Sequence, residues 1–143
     1  MGITFDELKA LAEGGDVEAQ FRLGKVYEFG NKNVNVEKDI SKAIEWYEKA
    51  AENGYAQAQY YLASSYEHNR LGGFRYERAM MWYEKAAQQG FTDAQFRLAF
   101  YLEHGKIIEK DLTAAIGWYE KAAANNHAGA KLRLKIISSK NQQ

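Results

Sequence analysis

Apolar positions along the chain fall on helical periods, and they do so in two phrases that alternate. In the first phrase Ala94, Leu98 and Leu102 stand at i, i+4 and i+8, and Ala19, Leu23 and Tyr27 repeat the spacing, which lines them along one face of a helix. In the second, Ala43, Tyr47, Ala50 and Ala51 stand at i, i+4, i+7 and i+8, with Trp46 beside them. The second phrase recurs word for word as Trp-Tyr-Glu-Lys-Ala-Ala from Trp46, Trp82 and Trp118, each 36 residues after the last. The first recurs as Ala-Gln, an aromatic, then Leu with a small residue, at Ala19–Gly24, Ala58–Ala63 and Ala94–Ala99. A fixed period of this length is the mark of a stacked repeat in which each unit is a pair of helices. The first interval between first phrases is 39 rather than 36, so the first repeat holds three extra residues, within Gly30–Val34, where a loop tolerates them.

Start and stop signals agree with that division. Gly54, Gly90 and Asn126 follow the second helices, and Gly30, Asn69 and Gly105 follow the first, all residues able to take a positive φ at a helix end. Asp39 and Asp111 are placed to cap two second helices, whereas the middle repeat has Arg75 there and begins differently, through Leu71-Gly72-Gly73-Phe74. Gly24, Ala63 and Ala99 adjoin a core leucine and let the paired helix approach closely. Tyr and Trp of the second phrase read as core filling. Thr4-Phe5-Asp6-Glu7 matches a capping box, with Ile3 and Leu8 placed for a hydrophobic staple. The expected layout is one repeat domain, 1–143, with an N-terminal capping helix at 4–13, repeats at 16–54, 55–90 and 91–126, and a C-terminal capping helix at 127–138. Lys135, where the repeats carry Gly or Ala, suits a water-facing last helix, and the tail from Ser138 is expected to fray.

The endings Ala-Ala-Glu-Asn-Gly at Ala50–Gly54 and Ala-Ala-Gln-Gln-Gly at Ala86–Gly90, the pairs Lys38-Asp39, Lys110-Asp111 and Tyr27-Glu28, and the absence of proline narrow the pattern further. These phrases resemble the Sel-one-like repeat family, a branch of the tetratricopeptide-like class, over roughly residues 16 to 137. The resemblance implies an all-α, right-handed α-solenoid, a superhelix of antiparallel helix pairs. It also implies an adaptor or scaffold that holds a protein or peptide partner in a concave groove.

Composition changes the picture mainly by exclusion. Nineteen basic and nineteen acidic side chains cancel without a block of one sign, so neither a nucleic acid nor a membrane partner is expected. There is no cysteine, hence no disulfide framework and no thiolate metal site. No run of about 18 apolar residues and no basic start followed by an apolar stretch occurs. A soluble, cytoplasmic protein is the expectation, periplasmic or secreted if a signal peptide has been removed.

Function is expected on the non-core face of the first helices. The helical wheel puts Glu18, Arg22, Lys25 and Phe29 there in the first repeat, Gln57, Tyr61, Ser64 and His68 in the second, and Asp93, Arg97, Phe100 and His104 in the third, with Arg133 and Ile136 on the last helix. Aromatics and arginines dominate binding hot spots, so Arg22, Phe29, Tyr61, His68, Arg97, Phe100, His104 and Arg133 are the candidate partner-binding residues. Long Arg stems and rings that merely cover neighbouring apolar surface are the bland alternative. Arg22, Arg97 and Arg133 are equivalent by spacing and suit a carboxylate or an acidic peptide, unless Glu18 and Asp93 neutralise them. Glu67-His68 and Glu103-His104 invite a metal reading, but without a fixed ligand spacing a surface ion pair explains them, and neither metal nor cofactor is expected. His127, near a helix start, is expected to be solvated. No thiol, G-x-S-x-G, H-E-x-x-H or P-loop points to catalysis. The alternatives to a scaffold are an immunity or inhibitor protein dedicated to one target and, last, a hydrolytic enzyme. Ile136 and Ile137, with no following helix to cover them, would permit a weak dimer through the C-terminal helix; otherwise a monomer is expected.

Overall fold

A computed structural model describes residues 2–68 and 75–142. Among these the chain forms eight α-helices: α1 (Phe5–Glu13), α2 (Val17–Phe29), α3 (Ile40–Glu52), α4 (Ala56–Glu67), α5 (Tyr76–Gln88), α6 (Thr92–His104), α7 (Leu112–Ala124) and α8 (Ala128–Asn141). Consecutive helices pack as antiparallel pairs, so the architecture is all-α. The chain divides into two compact units, Met1–Ala79 and Met80–Gln143, with the boundary inside α5. Asn69 and the expected irregular start at Leu71–Phe74 lie outside the described residues.

In the first unit α2 packs against α1 and α3, and α3 packs in turn against α4. Leu8, Ala12, Ala19 and Leu23 form a buried cluster, flanked by Phe5, Val26, Tyr27 and Trp46. Thr4, Asp16 and Asp39 cap α1, α2 and α3, each accepting from a backbone N–H three residues on at 2.8–3.1 Å. Such a cap is worth about 1 kcal/mol. Ile3, set for a staple, stays 40% exposed. The longer loop after α2 folds into a short 3-10 turn, Lys32–Val34, closed by Asn31 and Val36 exchanging backbone hydrogen bonds. Gly24 lies beneath the fully buried Tyr47, where a Cβ would fall 2.6 Å from the ring. The small residue therefore sets the α2–α3 separation, as its position in the phrase suggested.

In the second unit α7 packs between α6 and α8, and the core joins Ala99, Ala115, Tyr119, Ala122, Ala130 and Ile137. Asp111 caps α7 through the Ala114 amide at 3.0 Å. Gly54, Gly90 and Asn126 take φ of 88°, 90° and 65° after their helices, as the stop signals required.

Three expectations about the last helix are corrected here. Ile137 is 5% exposed within the core cluster, because it lies seven residues from buried Ala130 and so shares its inward face. It therefore offers nothing to a dimer, and the exposed apolar side chain of α8 is Leu132, at 57%. Second, α8 continues to Asn141 instead of fraying from Ser138; Lys140 in its last turn complements the helix dipole. Third, His127 is not solvated. Its Nδ1 accepts the Ala130 N–H at 3.1 Å, capping α8, and its ring stacks on Phe96 with centroids 4.4 Å apart.

Each unit uses the same two polar devices to join its helices. The buried Gln of the Ala-Gln phrase donates to a carbonyl at the end of the preceding helix: Gln20 to Ala12, Gln59 to Ala51, and Gln95 to Ala87, at 3.1–3.2 Å. The phrase Tyr is wholly buried, and its hydroxyl donates to a glutamate on the paired first helix, Tyr47 to Glu28 and Tyr119 to Glu103. A buried phenol requires such an acceptor. Trp46 and Trp118 are half-buried and Trp82 is buried, each with the Lys three residues on over its ring at 4.3–4.8 Å.

Candidate functional site

In the first unit the candidate face lies on α2 and α4. Phe21 of α2 and Tyr61 of α4 meet edge to face, centroids 5.2 Å apart, and both touch the ring of Tyr47 behind them, at 5.8 and 5.7 Å. The Lys25 ammonium rests 5.7 Å from the Phe21 centroid and 5.5 Å from that of Tyr61. Phe21 is 6% exposed, so Tyr61 is the ring of the pair that reaches the surface, braced by Phe21 and Tyr47 and covered in part by the Lys25 ammonium. Tyr61 is itself half-buried. Arg22 of α2 is exposed, and Phe29, at the end of the same helix, is 65% exposed. His68, at the end of α4, places Nδ1 2.7 Å from the Ser64 carbonyl, one turn back on its own helix.

In the second unit Arg97 and Phe100 are half-buried on α6, and His104 is exposed at its end. Phe100 lies 4.3 Å from the His104 ring, whose Nδ1 meets the Phe100 carbonyl at 2.8 Å. Arg133 of α8 is committed within the protein. Its Nε donates to Glu103 Oε1 at 3.1 Å and its Nη2 to Oε2, a two-pronged pair, while Tyr119 donates to the same Oε1 at 2.7 Å. Only 10% of the Glu103 side chain is exposed. Burial alone would raise its pKa, but the hydrogen bonds from Arg133 and Tyr119, with the charges of Arg133 and His104, outweigh burial and hold its carboxyl below the usual carboxylate range. Burial first, and then Glu103, push the Tyr119 hydroxyl well up. Asp93, offered above as a neutraliser of arginine, instead lies 3.4 Å from His127 Nε2.

The structure thus gathers Tyr61 with Phe21 and Lys25 in one unit, and Phe100 with His104 in the other, while Arg22 stands exposed on α2. Sequence reasoning missed Glu103 and Glu28 as the acceptors for the phrase tyrosines. The available signal was that Glu28, Glu67 and Glu103 recur in step with Tyr47, Tyr83 and Tyr119. Among the described residues no group of three or more His, Asp or Glu side chains is placed to hold a metal, and no helix is long and apolar enough to cross a membrane.

These repeated helix pairs, joined by Gln–carbonyl and Tyr–Glu bonds, define a tetratricopeptide-like repeat protein. The model of the Sel1 repeat matches residues 17–55, 56–91 and 92–127, and the chain belongs to that family. Among solved structures it is similar to a Sel1 repeat protein from Oxalobacter formigenes, with 40% identity over 90% of this chain and 95% of that one and a TM-score of 0.82. It is also similar to c5321, a protective antigen of uropathogenic Escherichia coli with an SLR fold, at 30% identity and a TM-score of 0.83. That match covers 93% of this chain and 28% of the antigen. Cysteine-rich protein B of Helicobacter pylori shares the fold at 22% identity, over 90% of this chain and 96% of that one, with a TM-score of 0.66. A comparison with curated protein sequences returns no match.

Proposed function

We propose that this chain is a non-catalytic protein-binding module that engages a protein or peptide through the outward faces of its first-phrase helices. The observation that carries the reading is the surface of α2 and α4, where Tyr61, braced by buried Phe21, lies under Lys25, while Arg22 is exposed on α2 and Phe29 is 65% exposed at its end. Rings already held by their neighbours lose little conformational freedom on binding, and aromatic and Arg side chains carry a large share of interface energy. Membership of a repeat family related to tetratricopeptide proteins supports the same reading. On the second unit Arg97, Phe100 and His104 extend the candidate set, His68 completes it on the first, and Arg133 contributes through its hold on Glu103.

The test compares three proteins for retention of partners from a lysate of the source organism: the native chain, Arg22→Glu with Phe29→Ala, and Tyr61→Ala with Phe100→Ala. Arg22 and Phe29 are exposed, so the first variant keeps its circular dichroism and melting temperature. A protein retained by the native chain and lost by both variants is the expected result. Equal retention by all three would move the site off these faces.

A further inference from the structure

The ends of α6 and α8 and the start of α7 line a pocket of about 270 Å3 that shares His104 and Arg133 with the proposed binding set and adds Lys110, Leu112, Ile137, Lys140 and Asn141 to them. Its charged lining is Arg133, Lys110 and Lys140, with Glu103 as the carboxylate, and the His104 imidazole stands beside them. Lys110 is held in place by the backbone, since Asp111 N–H donates to the Leu102 carbonyl at 2.9 Å and folds the loop onto the end of α6. A Cβ at Gly105 would lie only 2.7 Å from Lys110 Cβ, which shows how closely the two segments meet. Asp111 itself is turned to the α7 amides.

The charges select a class of ligand. Arg133, Lys110 and Lys140 exceed Glu103 by two, and the C-terminal ends of α6 and α8 each return about half a negative charge. The N-terminal end of α7 adds about half a positive charge, so about one and a half remain, enough to hold an anion. The planar guanidinium of Arg133, shaped for carboxylate and phosphate alike, is already occupied on two prongs by Glu103. What remains for a ligand are lysine ammonium groups, which hold a carboxylate or a phosphate as point charges, so the apolar part of the lining, which favours an anion carried on an aliphatic group, makes the choice. Leu112 and Ile137 add an apolar wall to the same pocket.

We propose that this pocket receives the C-terminal carboxylate of a peptide ending in an aliphatic residue, with Lys110 and Lys140 on the carboxylate and the last side chain against Leu112 and Ile137. This inference rests on the protein-binding reading and names a chemistry for one end of the partner.

The test titrates the full chain, labelled with nitrogen-15, with N-acetyl-alanyl-leucine as the free acid, with its C-terminal amide, and with inorganic phosphate. Amide shifts around Lys110, Leu112 and Lys140 are expected with the free acid. Loss of a charge-assisted hydrogen bond weakens binding by about tenfold or more, so the amide should bind that much more weakly, as should the free acid to Lys110→Gln with Lys140→Gln. Both lysines are exposed, and the double variant should melt as the native protein does. A third probe, acetyl-aspartyl-leucine amide, separates an acidic side chain from a chain terminus and should bind no better than the amide. Equal binding of acid and amide, preference for phosphate or for the aspartyl probe, or no binding at all would overturn the proposal; in the last case the lysines serve only the helix ends. If the dipeptide fails while partner retention still depends on Arg22 and Phe29, this pocket assignment falls and the binding module stands. If the dipeptide binds and that retention shows no dependence, the reverse holds.

Discussion

Tyr61 and Arg133 occupy the same place in the repeat, two periods apart, yet the two units use that place differently. In the first unit the ring lies on Phe21 and Tyr47 and supports Lys25, so it extends an aromatic surface. In the second unit the guanidinium turns to Glu103, beside the Tyr119 hydroxyl, and its charge is spent inside the protein. A repeat position is therefore not a binding position by itself. What the neighbouring helix offers, a ring or a carboxylate, decides whether the side chain faces a partner or the core.

The largest effect that would break this contrast is expected at the ion pair. Arg133→Ala leaves Glu103 charged and nearly buried, and should lower unfolding free energy by about 3 kcal/mol at neutral pH in urea titrations. Glu103→Gln tests the same pair through pH. The Glu103 pKa is lowered in the fold, so its contribution is complete above the ordinary carboxylate value of 4.5 and is lost as pH falls through the depressed folded value. The stability gap between native protein and Glu103→Gln should therefore be constant near neutrality and close only in acid. A gap that stays constant down to pH 2 would show that the pair contributes nothing.

Next in size is the helix spacing. Gly24→Ala should cost about 2 kcal/mol, because the new Cβ meets the immobile Tyr47 ring, whereas Ala99→Gly at the equivalent place in the second unit should cost about 1 kcal/mol through helix propensity. Tyr61→Ala should cost about 1–2 kcal/mol through lost ring contacts, with no dependence on pH between 4 and 8 beyond that of the native protein; an acid-sensitive loss would make its role resemble that of Arg133. His127→Ala should remove about 1 kcal/mol with the α8 cap, while Tyr55, its equivalent before α4, makes no side-chain cap bond. The smallest effect on stability is expected for Arg22→Ala, within about 0.5 kcal/mol, and a greater loss in thermal melts would mean that Arg22 serves the fold.

Much of this was legible before any coordinates. The period of 36 residues, the helix faces, the caps at Asp39 and Asp111 and the positive-φ residues at Gly54, Gly90 and Asn126 all depend on residues within a turn or two of one another. The candidate face was legible only in part. A helical wheel shows which side of α2 or α8 avoids the core, but not what stands opposite. Tyr47 meets Glu28 across 19 residues, and Arg133 meets Glu103 across 30; no local pattern announces either partner.

The repeat, its helix pairs and the family follow from the order of residues alone, because backbone preference and apolar periodicity act over a few residues and each repeat restates them. That Ile137 is core, that His127 caps a helix, and that equivalent side chains at 61 and 133 diverge came from packing. Those outcomes depend on which groups two packed helices bring within hydrogen-bonding or van der Waals distance, and burial forces each polar group there to find its partner.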